Sequence, residues 1–169
     1  MSLTTRFAAV VALALLGATA MATDFGNRTP EVKELVDALK PAERTRGFAI
    51  VGASAATRTK ASMQVGFNLG SAQVIERDVV KLDRLADALK SESLKEYRYQ
   101  VIGHTDATGP MPLNMKLSRQ RADTVVAYLM QQGIPAERLT SDGRGPTELL
   151  DTQRPAAAEN RRVEVRLVQ

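Results

Sequence analysis

Apolar and polar residues alternate along this chain with two periods, one near two residues and one near 3.6, and the switches between them outline its elements. From Val74 to Leu89 the positions Ile75, Val79, Leu82, Ala86 and Leu89, with Leu85 beside them, fall at helical spacing. A second helical pattern runs from Asn114 to Gln132 and is stopped by Gly133 and Pro135. Period two governs Gln64-Val65-Gly66-Phe67-Asn68-Leu69, which runs into Gly70-Ser71, then Tyr97 to Ile102 (YRYQVI), Arg138 to Ser141, and Arg162 to Val168 (RVEVRLV). Gly143 and Gly145 read as a loop after the third of these strands. The order β-α-β-α-β-β predicts an α/β (α+β) two-layer sandwich, a mixed sheet with two long helices on one face. Strands joined through crossover helices should run parallel, and the last strand antiparallel.

The first third of the chain is patterned differently. Arg6, the apolar run Phe7 to Leu16 and the small-residue site Ala20-Met21-Ala22 form a secretory signal, with cleavage expected before Thr23. The apolar run is short for a membrane span, which needs about 20 residues. Pro30 to Leu39 forms a short helix with Val32, Leu35, Val36 and Leu39 on one side, stopped by Pro41. Gly47 to Gly52 (GFAIVG) is a candidate strand, and Ala53 to Lys60 a linker. The expected organisation is therefore a signal peptide (1–22), a leader with a short helix and linker (23–61), and a compact domain (62–169).

Composition changes this picture in three places. Four Phe, three Tyr and no Trp mean that the core must be aliphatic. A net charge of +4 and a pI of about 9.6 raise nucleic acid as a partner. Acidic residues are mixed among the basic ones, however, and no Lys/Arg cluster is interleaved with aromatics, so nucleic-acid binding is not expected. Cysteine is absent. An exported chain of this kind has no disulfides and no site for an acyl chain, so no lipid anchor is expected and the protein should be soluble in the periplasm.

The chemistry concentrates in Gly103-His104-Thr105-Asp106-Ala107-Thr108-Gly109 and the helix that follows. On a wheel of about 100° per residue with Leu117 at the origin, Arg121 falls near 40°, Asn114 near 60° and Ser118 near 100°, inside the apolar arc. A guanidinium on a buried face needs a partner. One reading is a structural ion pair between Arg121 and Asp106. The other is a pocket in which Asp106 takes an ammonium and Arg121 a carboxylate, so that the two together hold a zwitterion. His104, the only histidine, has no second histidine, cysteine or nucleophile elbow to work with. It is expected to orient the loop through a hydrogen bond. No metal or other cofactor is expected, and the chain is not expected to be an enzyme.

These pieces, in order and at matching spacing, resemble the OmpA-like (OmpA/MotB C-terminal, Pal-type) peptidoglycan-associated domain. The matching residues are Phe67 to Ala72, Gly103 to Gly109, Asn114-x-x-Leu117-Ser118-x-x-Arg121-Ala122, Val125-x-x-Tyr128-Leu129 with Gly133-Ile134, Arg138-Leu139, Gly143-x-Gly145, and Asn160 to Val165. The resemblance spans residues 62–169. It implies non-covalent binding of peptidoglycan through the meso-diaminopimelate of the stem peptide, with Asp106 on the ammonium and Arg121 on the carboxylate. Asn114, Thr108 and the backbone of Asn68 to Gly70 would line the site. His104 and one of Arg161 and Arg162 would support it. The first strand departs from the Phe-Asp-Phe frequent in the family, since Asn68 and Leu69 follow Phe67. The resemblance places the protein at the cell wall of the periplasm, with other envelope or outer-membrane proteins as candidate partners of the leader. The alternative is a membrane-anchored scaffold or stator-type subunit that retains its N-terminal segment.

Overall fold

The computed structural model describes residues 23–41 and 59–168. The signal segment expected at 1–22, the strand expected at 47–52 and most of the linker expected at 53–60 lie outside the described residues. The elements in chain order are β1 (Thr23–Asp24), α1 (Val32–Leu39), β2 (Lys60–Met63), α2 (Glu76–Lys90), β3 (Arg98–His104), α3 (Met111–Gln131), β4 (Leu139–Gly145) and β5 (Val163–Val168).

The strands form one sheet in the order β1-β2-β5-β3-β4. β3 and β4, joined through α3, are parallel, and β5 lies antiparallel between β2 and β3. β2 and β3 therefore point the same way, as strands linked by a helix crossover should. Alternation along β5 assigns the two faces. Val163 and Val165 belong to the core under the helices, and Glu164 and Arg166 point to the other side. The core is aliphatic and continuous, with Leu35, Leu82, Leu85, Val101, Val125 and Leu129 all fully buried. This is the mixed α/β two-layer sandwich that the sequence pattern predicts.

Three local expectations need correction. The strand expected at 64–69 is not one. The ladder with β5 is made by Lys60–Met63, where Ala61 and Met63 are buried, and only an isolated bridge joins Phe67 to Val74. The backbone groups of residues 64–66 are claimed by side chains instead. Lys81 Nζ donates to the Gln64 carbonyl at 2.7 Å, and the Gly66 N–H donates to Asp78 at 2.6 Å. A backbone so occupied cannot extend a ladder. Second, Gly143 and Gly145 lie within β4 rather than in a loop after it. Third, the residues read as a leader join the same sheet and core. β1 pairs in parallel with β2, and α1 buries Leu35 and Leu39 completely.

Candidate functional site

The site is built where α3 crosses β3 and β4. Gly103 and Gly143 are register partners on the two strands. A Cβ on Gly103 would overlap the Ser118 carbonyl oxygen, and one on Gly143 would overlap the Arg119 amide nitrogen. The two glycines thus let the helix backbone rest directly on the sheet. Ser118 locks the contact, since its hydroxyl donates to the Met115 carbonyl at 2.9 Å and accepts from the Gly145 N–H at 2.8 Å. This seating buries the polar stripe read from the wheel: Asn114, Ser118 and Arg121 are 8%, 0% and 9% exposed.

The loop after β3 is held to its surroundings at each step. The Thr105 N–H donates to the Gly145 carbonyl, and the Ala107 N–H donates to the Pro155 carbonyl. The Thr108 N–H closes on Asp106 Oδ1 at 3.0 Å, and Asn114 Nδ2 donates to the Thr108 carbonyl at 3.0 Å. Gly109 permits the turn into α3 at φ +87°. Asp106, Thr108, Asn114 and Arg121 consequently line one cleft of about 620 Å³, with Gly70 and Arg161 also on its wall.

Asp106 and Arg121 do not pair with each other. Asp106 Oδ2 accepts from Arg161 at 2.7 Å. Burial pushes the Asp106 carboxyl up, but Arg161 and the hydrogen bonds from Thr108 outweigh it and hold the group below the usual carboxylate range. Arg121 instead donates through Nε to the Ser71 carbonyl at 3.2 Å and lies 4.8 Å from the centre of the Phe67 ring. Burial, and then the Arg161 charge, push the Arg121 guanidinium below its ordinary value, with only partial relief from Asp106. Among the described residues no carboxylate forms a salt bridge with Arg121. A cation–π contact and one carbonyl offset only part of the cost of burying its charge. An anion entering the cleft would supply the rest.

The structure sorts the remaining candidates. Gly70, in the left-handed region at φ +65°, lines the cleft, but Asn68 does not: its backbone N–H donates to the Gln73 carbonyl, its carbonyl accepts from the Ser71 N–H, and its side-chain amide donates to Gln73 Oε1 at 3.1 Å. Of the two arginines, Arg161 reaches the cleft. Arg162 is buried on the other side, where it donates to the Glu148 carbonyl at 3.0 Å.

The hydrogen bond expected of the His104 ring is a correction. His104 is 1% exposed, its backbone N–H donates to the Arg162 carbonyl, and neither ring nitrogen has a partner among the described residues. Burial, then Arg162, lower its pKa to about 4, against weaker opposing effects of Glu164 and Glu148. The folded protein therefore holds a neutral imidazole where the unfolded chain would take up a proton. Stability from this group is fully present above the ordinary histidine value of 6.5 and is lost as pH falls toward 4. The loss amounts to about 3 kcal/mol. Denaturant titrations across that window should show it, and His104→Leu should remove this part of the slope; equal slopes for the two proteins would refute it.

Three features escaped the sequence pattern. Phe67 supplies the ring beneath Arg121. Lys81, 2% exposed, meets Asp78 at 3.0 Å and also holds Asn27 Oδ1 and the Gln64 carbonyl, which fixes the floor of the cleft. Asn160, fully buried, accepts from the Leu150 and Asp151 N–H groups and donates to the carbonyls of Asp151, Arg154 and Pro155. The Asn160-Arg161-Arg162 run was the available signal for Asn160. For Lys81 an i,i+3 acid–base pair was present, but that spacing usually marks an exposed helix face.

The family model of OmpA matches residues 66–162, a span that contains every cleft residue from Phe67 to Arg161. The chain belongs to the OmpA family. Within it, the chain is 47% identical over 79 residues to the probable lipoprotein YiaD of Escherichia coli, covering 44% of this chain and 36% of that protein. It is 33% identical over 103 residues to the peptidoglycan-binding protein ArfA of Mycobacterium bovis, covering 60% and 31%. The chain thus matches about a third of the length of each of these relatives. The structure of the cell wall anchor of the T6SS from Pseudomonas aeruginosa superposes with a TM-score of 0.54 at 31% identity, covering 65% of this chain and 80% of that one.

Proposed function

We propose that this OmpA-family protein binds peptidoglycan non-covalently and that the cleft takes the diaminopimelate side chain of the stem peptide. The ammonium docks on Asp106 and the carboxylate on Arg121, with Asn114, Thr108 and the backbone at Gly70 around them. The observation that carries this reading is the buried Arg121 lining the cleft without a carboxylate partner among the described residues. The printed descriptions of ArfA as peptidoglycan-binding and of the structural neighbour as a cell wall anchor support the same ligand class.

Co-sedimentation with meso-diaminopimelate sacculi tests it. The chain from Thr23 onward should pellet with sacculi, and Asp106→Ala and Arg121→Ala should each weaken binding by ten- to a hundredfold, the loss of a charge-assisted contact of about 1.5–3 kcal/mol. Wild-type pelleting by either variant, with the fold intact by circular dichroism, rules out this site. The signal segment 1–22 is proposed to direct export and to be removed, which puts the protein at the cell wall in the periplasm. N-terminal sequencing of protein from the envelope fraction should then begin at Thr23; a start at Met1 or Ser2 in the membrane fraction would support the anchored scaffold instead.

A further inference from the structure

The charges of the cleft do not balance for a simple zwitterion. Asp78 is matched from behind by Lys81 at 3.0 Å. Asp106 is matched by Arg161 at 2.7 Å. Arg121 has no carboxylate partner among the described residues, and Arg77 also lines the wall. A ligand ammonium that takes Asp106 must compete with Arg161 for the same carboxylate. If the ligand brings one carboxylate only, Arg121 is satisfied and Arg161 is left without a partner in the cleft.

Arg161 combines an exposed side chain with an anchored stretch of backbone. Its side chain is 46% exposed. Its backbone is anchored, because the preceding Asn160 is fully buried and ties residues 150–155 to the end of the short turn Ala158–Asn160. A fixed base with a long, solvated, cationic tip can trade one anion for another at little cost in order. Arg121 and Arg161 line the same cleft, so both guanidiniums serve one small volume, and after burial the charge of Arg161 is the next cause that lowers the Arg121 pKa.

We propose that Arg161 holds Asp106 in the free protein and, once the ligand's ammonium takes Asp106, swings to a second carboxylate of the same ligand, so that the cleft selects a ligand carrying two carboxylates to one ammonium. This rests on the diaminopimelate reading above and names the part of the stem peptide that completes it. In a wall peptide the neighbouring acid is the α-carboxylate of the γ-linked D-glutamate that precedes diaminopimelate. The cleft would then distinguish a free acid at that position from its amide, which keeps the shape and removes the charge.

Calorimetric titration of the folded chain with two synthetic tripeptides tests this. One is N-acetyl-L-Ala-γ-D-Glu-meso-diaminopimelate with the carboxyl of its peptide-linked centre blocked as the methylamide, so that the glutamate α-carboxylate and the far-end carboxylate are its two acids and the far-end ammonium its one cation. The other is the same peptide with the carboxamide at the glutamate α-position. Wild type should bind the acid about tenfold more tightly than the amide, the worth of one charge-assisted pair. Arg161→Gln should bring that ratio close to one, and Arg161→Lys should keep part of it. A merely structural role for Arg161 would weaken both peptides together and leave the ratio as in wild type, which overturns the inference. Equal binding of both peptides by wild type overturns it as well, while leaving the diaminopimelate site standing. If neither peptide binds, the reading of the cleft falls and this inference with it.

Discussion

Lys81→Met should lower the unfolding free energy by about 3–5 kcal/mol, the range for removing one member of a buried ion pair. The ammonium of Lys81 makes three attachments, and its partner Asp78 makes a fourth. It pairs with Asp78 at 3.0 Å, donates to the Gln64 carbonyl at 2.7 Å and to Asn27 Oδ1 at 3.1 Å, and Asp78 in turn accepts the Gly66 N–H at 2.6 Å. Methionine fills the same volume but strands a carboxylate that is 5% exposed, with a single N–H left to stabilise it. The pair Lys81→Met with Asp78→Asn should recover part of the loss, because the stranded charge is gone. Urea denaturation followed by circular dichroism measures both. A single-variant loss under about 1 kcal/mol would mean that water reaches Asp78 and that this pair behaves like a surface one. Asn27, Gln64 and Gly66 all line the cleft, so sacculus binding should fall along with stability.

Gly103→Ala should cost about 3 kcal/mol, the upper end of the usual range for overpacking. The added methyl would overlap the Ser118 carbonyl oxygen, with the rest of the Ser118 backbone directly behind it, and none of these atoms sits on a flexible side chain that could rotate away. The helix must lift or the strand must bend. Either movement separates Asp106, three residues beyond Gly103, from Arg121, one turn beyond Ser118. The variant should therefore lose ligand affinity even under conditions where it stays folded. Gly109→Ala is the contrast. It meets no atom within 4 Å but sits at φ +87°, so its cost is backbone strain in the loop alone and should be about 1–2 kcal/mol. Comparable losses at the two positions would show that close helix packing on β3 is not what holds the site together.

The polar stripe of α3 is legible in the sequence. Asn114, Ser118 and Arg121 fall on the apolar arc by spacing alone, and the structure buries all three. Asp106 was legible as a carboxylate held in a glycine-bounded loop. The partners of these residues were not. Arg161 lies 55 positions from Asp106, and nothing local distinguishes it from Arg162, yet one enters the cleft and the other is buried against Glu148. Period-two pattern misplaced the strand before α2 for a similar reason, because Lys81 and Asp78 claim the backbone of residues 64–66 from a distance in sequence.

The helical and strand periods, the caps and breakers, and the family signature from Phe67 to Val165 determined the fold class, the order of elements and the identity of the cleft loop and helix. These are properties of near neighbours along the chain, where each residue's backbone preference and its share of an apolar face are set locally. The tertiary structure decided which charges meet. It turned Asp106 to Arg161, left Arg121 facing the cleft on Phe67, buried His104 with no ring partner among the described residues and brought α1 into the core. Such choices depend on which side chains the packed layers carry into reach and on how much water is excluded around them, and both are set only when the sheet and helices close on each other.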